Sequence, residues 1–159
     1  MHIYIMRHGD AEPSFENDQG RQLTEWGQHQ ACQGGRWLKR QLREGNSALS
    51  LALVSPYTRA QETYQQLTRH VQAVEVQSCV DLVPGADPRT THDFLDTVLA
   101  DLDTNAHVLL VSHLPLVSYL LDELCHQHVS LLFGTGDIAV VEYDLDKGRG
   151  TWRETYSPE

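Results

Sequence analysis

Val108-Leu109-Leu110-Val111-Ser112-His113-Leu114-Pro115-Leu116 is the stretch that decides the fold class of this chain. Four consecutive apolar residues without polar alternation describe a strand buried on both faces, and such strands belong to parallel sheets covered by helices. Pro115 then falls where a helix can start, and residues 116–124 continue with helical spacing. The same grammar occurs twice more. Residues 51–54 form an apolar run closed by Ser55-Pro56, and a helical pattern follows over residues 57–71. Residues 2–6 form another run, closed by Arg7-His8-Gly9, and a loose helical face spans residues 26–42 with Thr24 placed as its N-cap. Residues 74–80 alternate like a strand, and Phe94, Leu95, Val98, Leu99 and Leu102 mark a further helix. Residues 138–143 and 151–156 flank Asp146-Lys147-Gly148-Arg149-Gly150 as a hairpin. The alternation predicts an α/β three-layer sandwich: a mostly parallel central sheet with helices on both faces.

Composition sets the outer bounds. The 159 residues suffice for one domain, so a single domain spanning 1–159 is expected. A net charge of -10 argues against a nucleic-acid partner or an anionic membrane surface, both of which need clustered Lys and Arg. No apolar run is long enough to cross a bilayer, and the short apolar N-terminal run does not read as a signal peptide. Cys32, Cys79 and Cys125 are odd in number and far apart, which favours a reducing, cytoplasmic setting over a disulfide framework. Cys125-His126-x-His128 has no second ligand pair at useful spacing, so no metal is expected. Gly134-Thr135-Gly136 lacks the Lys of a P-loop and precedes a strand, so it reads as a turn bordering the site.

The three apolar runs end in one kind of chemistry: Arg7-His8-Gly9, then Ser55-Pro56 with Arg59 in the next helical turn, then Ser112-His113. Ligands in open α/β sheets bind beyond the carboxyl ends of the strands. Helix N-termini at that edge attract anions, and arginine offers a planar fork that matches phosphate oxygens. Taken singly, each group reads as a polar loop or surface residue. Taken together at one edge, they describe a phosphoryl site.

These residues carry a resemblance. Arg7-His8-Gly9 resembles the Arg-His-Gly signature of the histidine phosphatase superfamily, which includes the phosphoglycerate mutases. Leu23-Thr24-Glu25-Trp26-Gly27-Gln28-His29-Gln30-Ala31 is similar to its Leu-Thr-x-x-Gly-x-x-Gln-Ala segment. Ser55-Pro56-Tyr57-Thr58-Arg59-Ala60-Gln61-Glu62-Thr63 is similar to Ser-Pro-x-x-Arg-Ala-x-x-Thr, and Val111-Ser112-His113 to the distal histidine segment. The compact length, with no large insertion, looks most like the SixA-type phosphohistidine phosphatases of bacterial signalling. The resemblance implies His8 as nucleophile, with Arg7, Arg59 and His113 around the transferred phosphoryl group, Arg21 as a further substrate contact, and no cofactor. A nucleophilic imidazole must be neutral, and the charge of Arg7 is expected to favour that form.

One departure bears on the substrate. Relatives that cleave phosphate esters carry a carboxylic acid after the third strand, whereas residues 80–88 here hold only Asp81 and Asp87, both beside turn-forming residues. An imidazole leaving group, with a pKa of about 6.5, needs little help from a general acid. The expected partner is therefore a histidine-phosphorylated phosphotransfer domain or phosphocarrier protein. A small-molecule phosphomonoesterase and a catalytically dead phosphoprotein-binding module are the alternatives.

Overall fold

The computed structural model describes residues 1–42 and 48–159. In chain order the elements are β1 (His2–Arg7), α1 (Glu25–Gln41), β2 (Leu49–Val54), α2 (Thr58–Leu67), β3 (Ala73–Ser78), a 3-10 turn (Val80–Leu82), α3 (Pro88–Leu99), β4 (His107–Ser112), α4 (Leu116–Leu124), β5 (Ile138–Asp144) and β6 (Arg149–Tyr156). They build one sheet in the order β3-β2-β4-β1-β5-β6. The first four strands in that order are parallel, and β5 and β6 add an antiparallel hairpin at one edge.

Side-chain alternation sorts the core into two layers. Ile3, Ile5, Leu51, Leu53, Val108 and Leu110 pack against α3 and α4, whereas Tyr4, Met6, Ala52, Val54, Leu109 and Val111 pack against α1 and α2. Every residue of β4 is buried, as its unbroken apolar run predicts. The helices that follow β1 and β2 thus lie on one face, and those that follow β3 and β4 lie on the other. Since β1 and β4 are neighbours, the chain diverges to opposite faces just beyond their carboxyl ends, which opens a crevice there. Arg7 and Ser112 are register partners at the ends of these strands. His8 and His113 therefore leave the sheet side by side.

Three elements differ from the sequence expectation. The α2 helix stops at Leu67 because Thr68 turns its hydroxyl onto the Gln65 carbonyl and the chain tightens toward Val71. The α3 helix begins earlier than its apolar spacing suggests, at Pro88, with Asp87 as N-cap accepting from the Arg89 N–H. The alternation of residues 74–80 does mark β3, but Val74 and Val76 are 82% and 48% exposed and Val80 lies in the following turn. β3 is an edge strand that stays largely exposed, touched by α2 through Gln61 donating to Ser78 Oγ.

Candidate active site

The motif segments are mostly scaffolding for one short loop, residues 8–10. The His8 N–H is held by the Ser112 carbonyl, and the Gly9 N–H donates to Thr63 Oγ1, whose hydroxyl donates to the Arg59 carbonyl. The Asp10 N–H donates to Gln30 Oε1. Thr24 caps α1 by accepting from the Gly27 N–H while donating to Asp10 Oδ2. The loop lies so close to α1 that a Cβ on Gly9 would strike the Gly27 carbonyl, and one on Gly27 would strike Asp10. On the other side, the Gly136 N–H reaches the Arg7 and His8 carbonyls, so the Gly134-Thr135-Gly136 turn borders the site as expected.

Hydrogen bonding fixes the tautomer of His8. His8 Nδ1 lies 2.7 Å from the Gly9 carbonyl oxygen, which can only accept, so Nδ1 carries the proton. Arg59 Nε, which can only donate, lies 3.2 Å from His8 Nε2, so Nε2 carries a lone pair. The two contacts independently specify the neutral tautomer with its free pair on Nε2. Ser55 Oγ accepts from the Tyr57 N–H and shares a 2.7 Å hydrogen bond with His113 Nε2. The two rings sit 5.0 Å apart between centroids.

Among the described residues three buried side-chain polar atoms lack a partner: Arg7 Nε and His113 Nδ1, both at the site, and the Ser118 hydroxyl on α4. Burial of an unpaired donor is costly, so such groups mark a place built for an acceptor. Arg7 is tethered by Nη1 donating to the Phe133 carbonyl at 2.8 Å. Arg59 is nearly enclosed, its guanidinium 5.1 Å from the Tyr57 ring centroid. The α2 and α4 helices begin here without side-chain caps, whereas α1 and α3 are capped.

Electrostatics agree with the tautomer. Burial, the largest cause, pushes the His8 pKa down to about 4, and Arg59, Arg7 and Arg21 push in the same direction against the Gly9 carbonyl. His113 is driven to about 2 by burial first, then by His8 and the same three arginines. The neutrality of His8 thus comes chiefly from desolvation, with Arg59 ahead of Arg7. The sequence expectation had placed it on Arg7.

The structure gathers Arg7, His8, Arg59 and His113 around one point. Arg21 is near enough to act on both histidines, but its own bonds go to the Glu12 carbonyl at 2.7 Å and to Asp18 at 3.3 Å. Asp87 is occupied as a helix cap, and Asp81 sits in the 3-10 turn, where its carbonyl accepts from Thr91. Ser55, Thr63 and Gln30 were visible in the sequence as motif letters only. Asp18, which bonds both Arg59 and Arg21, carried no sequence signal.

The model of the histidine phosphatase superfamily, branch 1, matches residues 3–83, just over half of the chain. This chain belongs to the histidine phosphatase superfamily. As a member it is a phosphatase that works through a histidine. Over 152 residues it is 38% identical to a phosphohistidine phosphatase SixA homolog of Haemophilus influenzae, covering 92% of this chain and 91% of that protein. It is 34% identical to the phosphohistidine phosphatase SixA of Escherichia coli over 160 residues, 99% of this chain and 94% of that one. The solved structure of the protein histidine phosphatase SixA complexed with tungstate superposes with a TM-score of 0.89 at 34% identity, covering 99% of this chain and 97% of that chain.

Proposed function

We propose that the chain, acting from residue 1 to 159 as one catalytic domain, is a phosphohistidine phosphatase that removes phosphate from a histidine-phosphorylated signalling or phosphocarrier protein. The observation that carries this reading is the buried, neutral His8 with its Nε2 lone pair set beside two unpartnered donors. The Nε2 pair attacks phosphorus, and the P–N bond to the substrate histidine breaks with its electron pair returning to the departing imidazole. That imidazole takes a proton from water. In the second step water attacks the phosphorus of phospho-His8, the P–Nε2 bond breaks, and inorganic phosphate leaves. Arg7 Nε and His113 Nδ1 stand unpartnered to meet the charge on the equatorial oxygens, and Arg59 joins them as its contacts to His8 Nε2 and the Asp18 carboxylate give way; donors placed in advance are where such sites gain most of their rate. Tungstate is a tetrahedral oxyanion like phosphate, and its presence in the related SixA structure supports an oxyanion pocket here.

The choice of substrate rests on the carboxylates. Asp87 is committed to capping α3, and Asp18 is held ionised: the bonds and charges of Arg21 and Arg59 outweigh the opposing effect of burial and lower its pKa. An ionised carboxylate is a poor proton donor to an alkoxide, whereas an imidazole departs without one. The names of the relatives support the same partner class. All three cysteines are free, in keeping with a cytoplasmic enzyme, and among the described residues no helix is long and apolar enough to cross a membrane. The test is kcat/KM for a phosphohistidine protein against an alkyl phosphate, in wild type and in the Asp81→Asn/Asp87→Asn double variant. The reading expects a large preference for phosphohistidine that survives both substitutions. A ratio near unity, or ester hydrolysis that collapses in the double variant, would assign a small-molecule phosphomonoesterase instead.

A further inference from the structure

Asp18 lies in the long connection between β1 and α1, and its side chain is 58% exposed. Its carboxylate nevertheless spans two guanidiniums, with Oδ1 3.3 Å from Arg21 Nη1 and Oδ2 3.4 Å from Arg59 Nη2. Arg59 is the same residue whose Nε touches the His8 lone pair. An anion thus already bridges two cations at the edge of a site built for an anion. The carboxylate is not what secures the loop. Arg59 Nη1 makes its shorter bond, 2.7 Å, to the Asp18 backbone carbonyl, and the Thr58 N–H holds the Gln19 carbonyl at 2.9 Å. Arg21 Nε is fixed separately by the Glu12 carbonyl. The charge on Asp18 can therefore be removed while the bonds that shape the loop remain.

We propose that the Asp18 carboxylate is a built-in competitor for the phosphate product: it holds Arg21 and Arg59 in the empty enzyme, yields them to the phosphoryl group, and recaptures them as inorganic phosphate departs. This rests on the phosphatase reading above. A pocket flanked by Arg7, Arg21 and Arg59 would otherwise retain a doubly charged product, and turnover would slow at release. A tethered carboxylate weakens every anion in the pocket, and it does so without disturbing the attack geometry at His8 Nε2. Asp18 is accordingly a positioning residue for the two arginines and sets the affinity for product.

The experiment compares wild type, Asp18→Asn and Asp18→Glu. Inorganic phosphate is the probe, read both as a competitive inhibitor of phosphohistidine-protein turnover and by calorimetric titration of the free enzyme. The expected result for Asp18→Asn is phosphate bound about tenfold more tightly, the order of one partly screened unit charge at close range. The gain should shrink as salt rises, and Asp18→Glu should stay near wild type. A purely structural role predicts the opposite sign, since a disordered loop would weaken phosphate. Unchanged or weaker binding in Asp18→Asn overturns the proposal and leaves the phosphatase reading standing. A wild type that neither turns over phosphohistidine nor binds phosphate overturns both.

Discussion

Acidification is the perturbation that most sharply separates this site from an ordinary histidine. A free imidazole with a pKa of about 6.5 is only about one-tenth neutral at pH 5.5. His8, pushed down to about 4, is more than nine-tenths neutral at the same pH. A nucleophile that reacts only as the neutral base should therefore lose less than about a fifth of its active form between pH 7.5 and 5.5, against roughly tenfold for an unperturbed residue. Two measurements check this together. The acid limb of kcat/KM should fall with a midpoint near 4 after allowance for the substrate's own ionisation. NMR titration of the His8 ring, assigned with His8→Asn, reports the same equilibrium without substrate. Because burial is the largest cause and Arg59 a lesser one, Arg59→Met should raise the midpoint yet leave it below 6.5. A wild-type midpoint near 6.5 would refute the burial argument.

Arg59→Lys should lower kcat/KM by about 10²–10³, because a single ammonium cannot reproduce the planar guanidinium fork that meets the phosphoryl oxygens beside His8 Nε2; steady-state kinetics on a phosphohistidine protein decides it, and normal activity would contradict it. Stability should also fall in acid. The folded pKa of His8 lies below its unfolded value, so the unfolded chain binds the proton first and stability is lost as pH drops through 6.5 toward 4. Urea denaturation at pH 7.5 and pH 5 should show that His8→Asn removes about 2 kcal/mol of this loss.

Strand ends were the most legible part of the molecule. Unbroken apolar runs such as 51–54 and 108–111 can satisfy burial on both faces only in a helix-covered sheet, and the polar residues that close them inevitably emerge at one edge. That logic makes His8, Arg59 and His113 legible in the sequence. What stayed hidden was anything set by the third dimension alone. Asp18 reaches Arg59 across 41 residues of chain, and nothing in its neighbourhood of Glu16-Asn17-Gln19-Gly20 marks it. The His113 ring is held by a Ser55 hydroxyl 58 residues away. Trp26 looked like part of the apolar face of α1, yet it is 49% exposed beside His29. The buried stripe of that helix joins the expected Ala31, Trp37 and Leu38 to Gly27, Gly34 and Gly35, where missing side chains allow close approach. An apolar-periodicity argument cannot see the glycine part of such a face. The order β3-β2-β4-β1-β5-β6 was equally unreadable, because strand order depends on which way each crossover turns.

The central claim is that the phosphoryl group passes through His8, and trapping the intermediate tests it most directly. Enzyme mixed with a phosphohistidine protein, quenched in base during turnover and digested, should carry one acid-labile, base-stable phosphate on the peptide containing Arg7-His8-Gly9, attached at Nε2, and His8→Ala should carry none and turn over nothing. Phosphate found on His113 or any other residue, or release of inorganic phosphate by His8→Ala at the wild-type rate, would contradict the account.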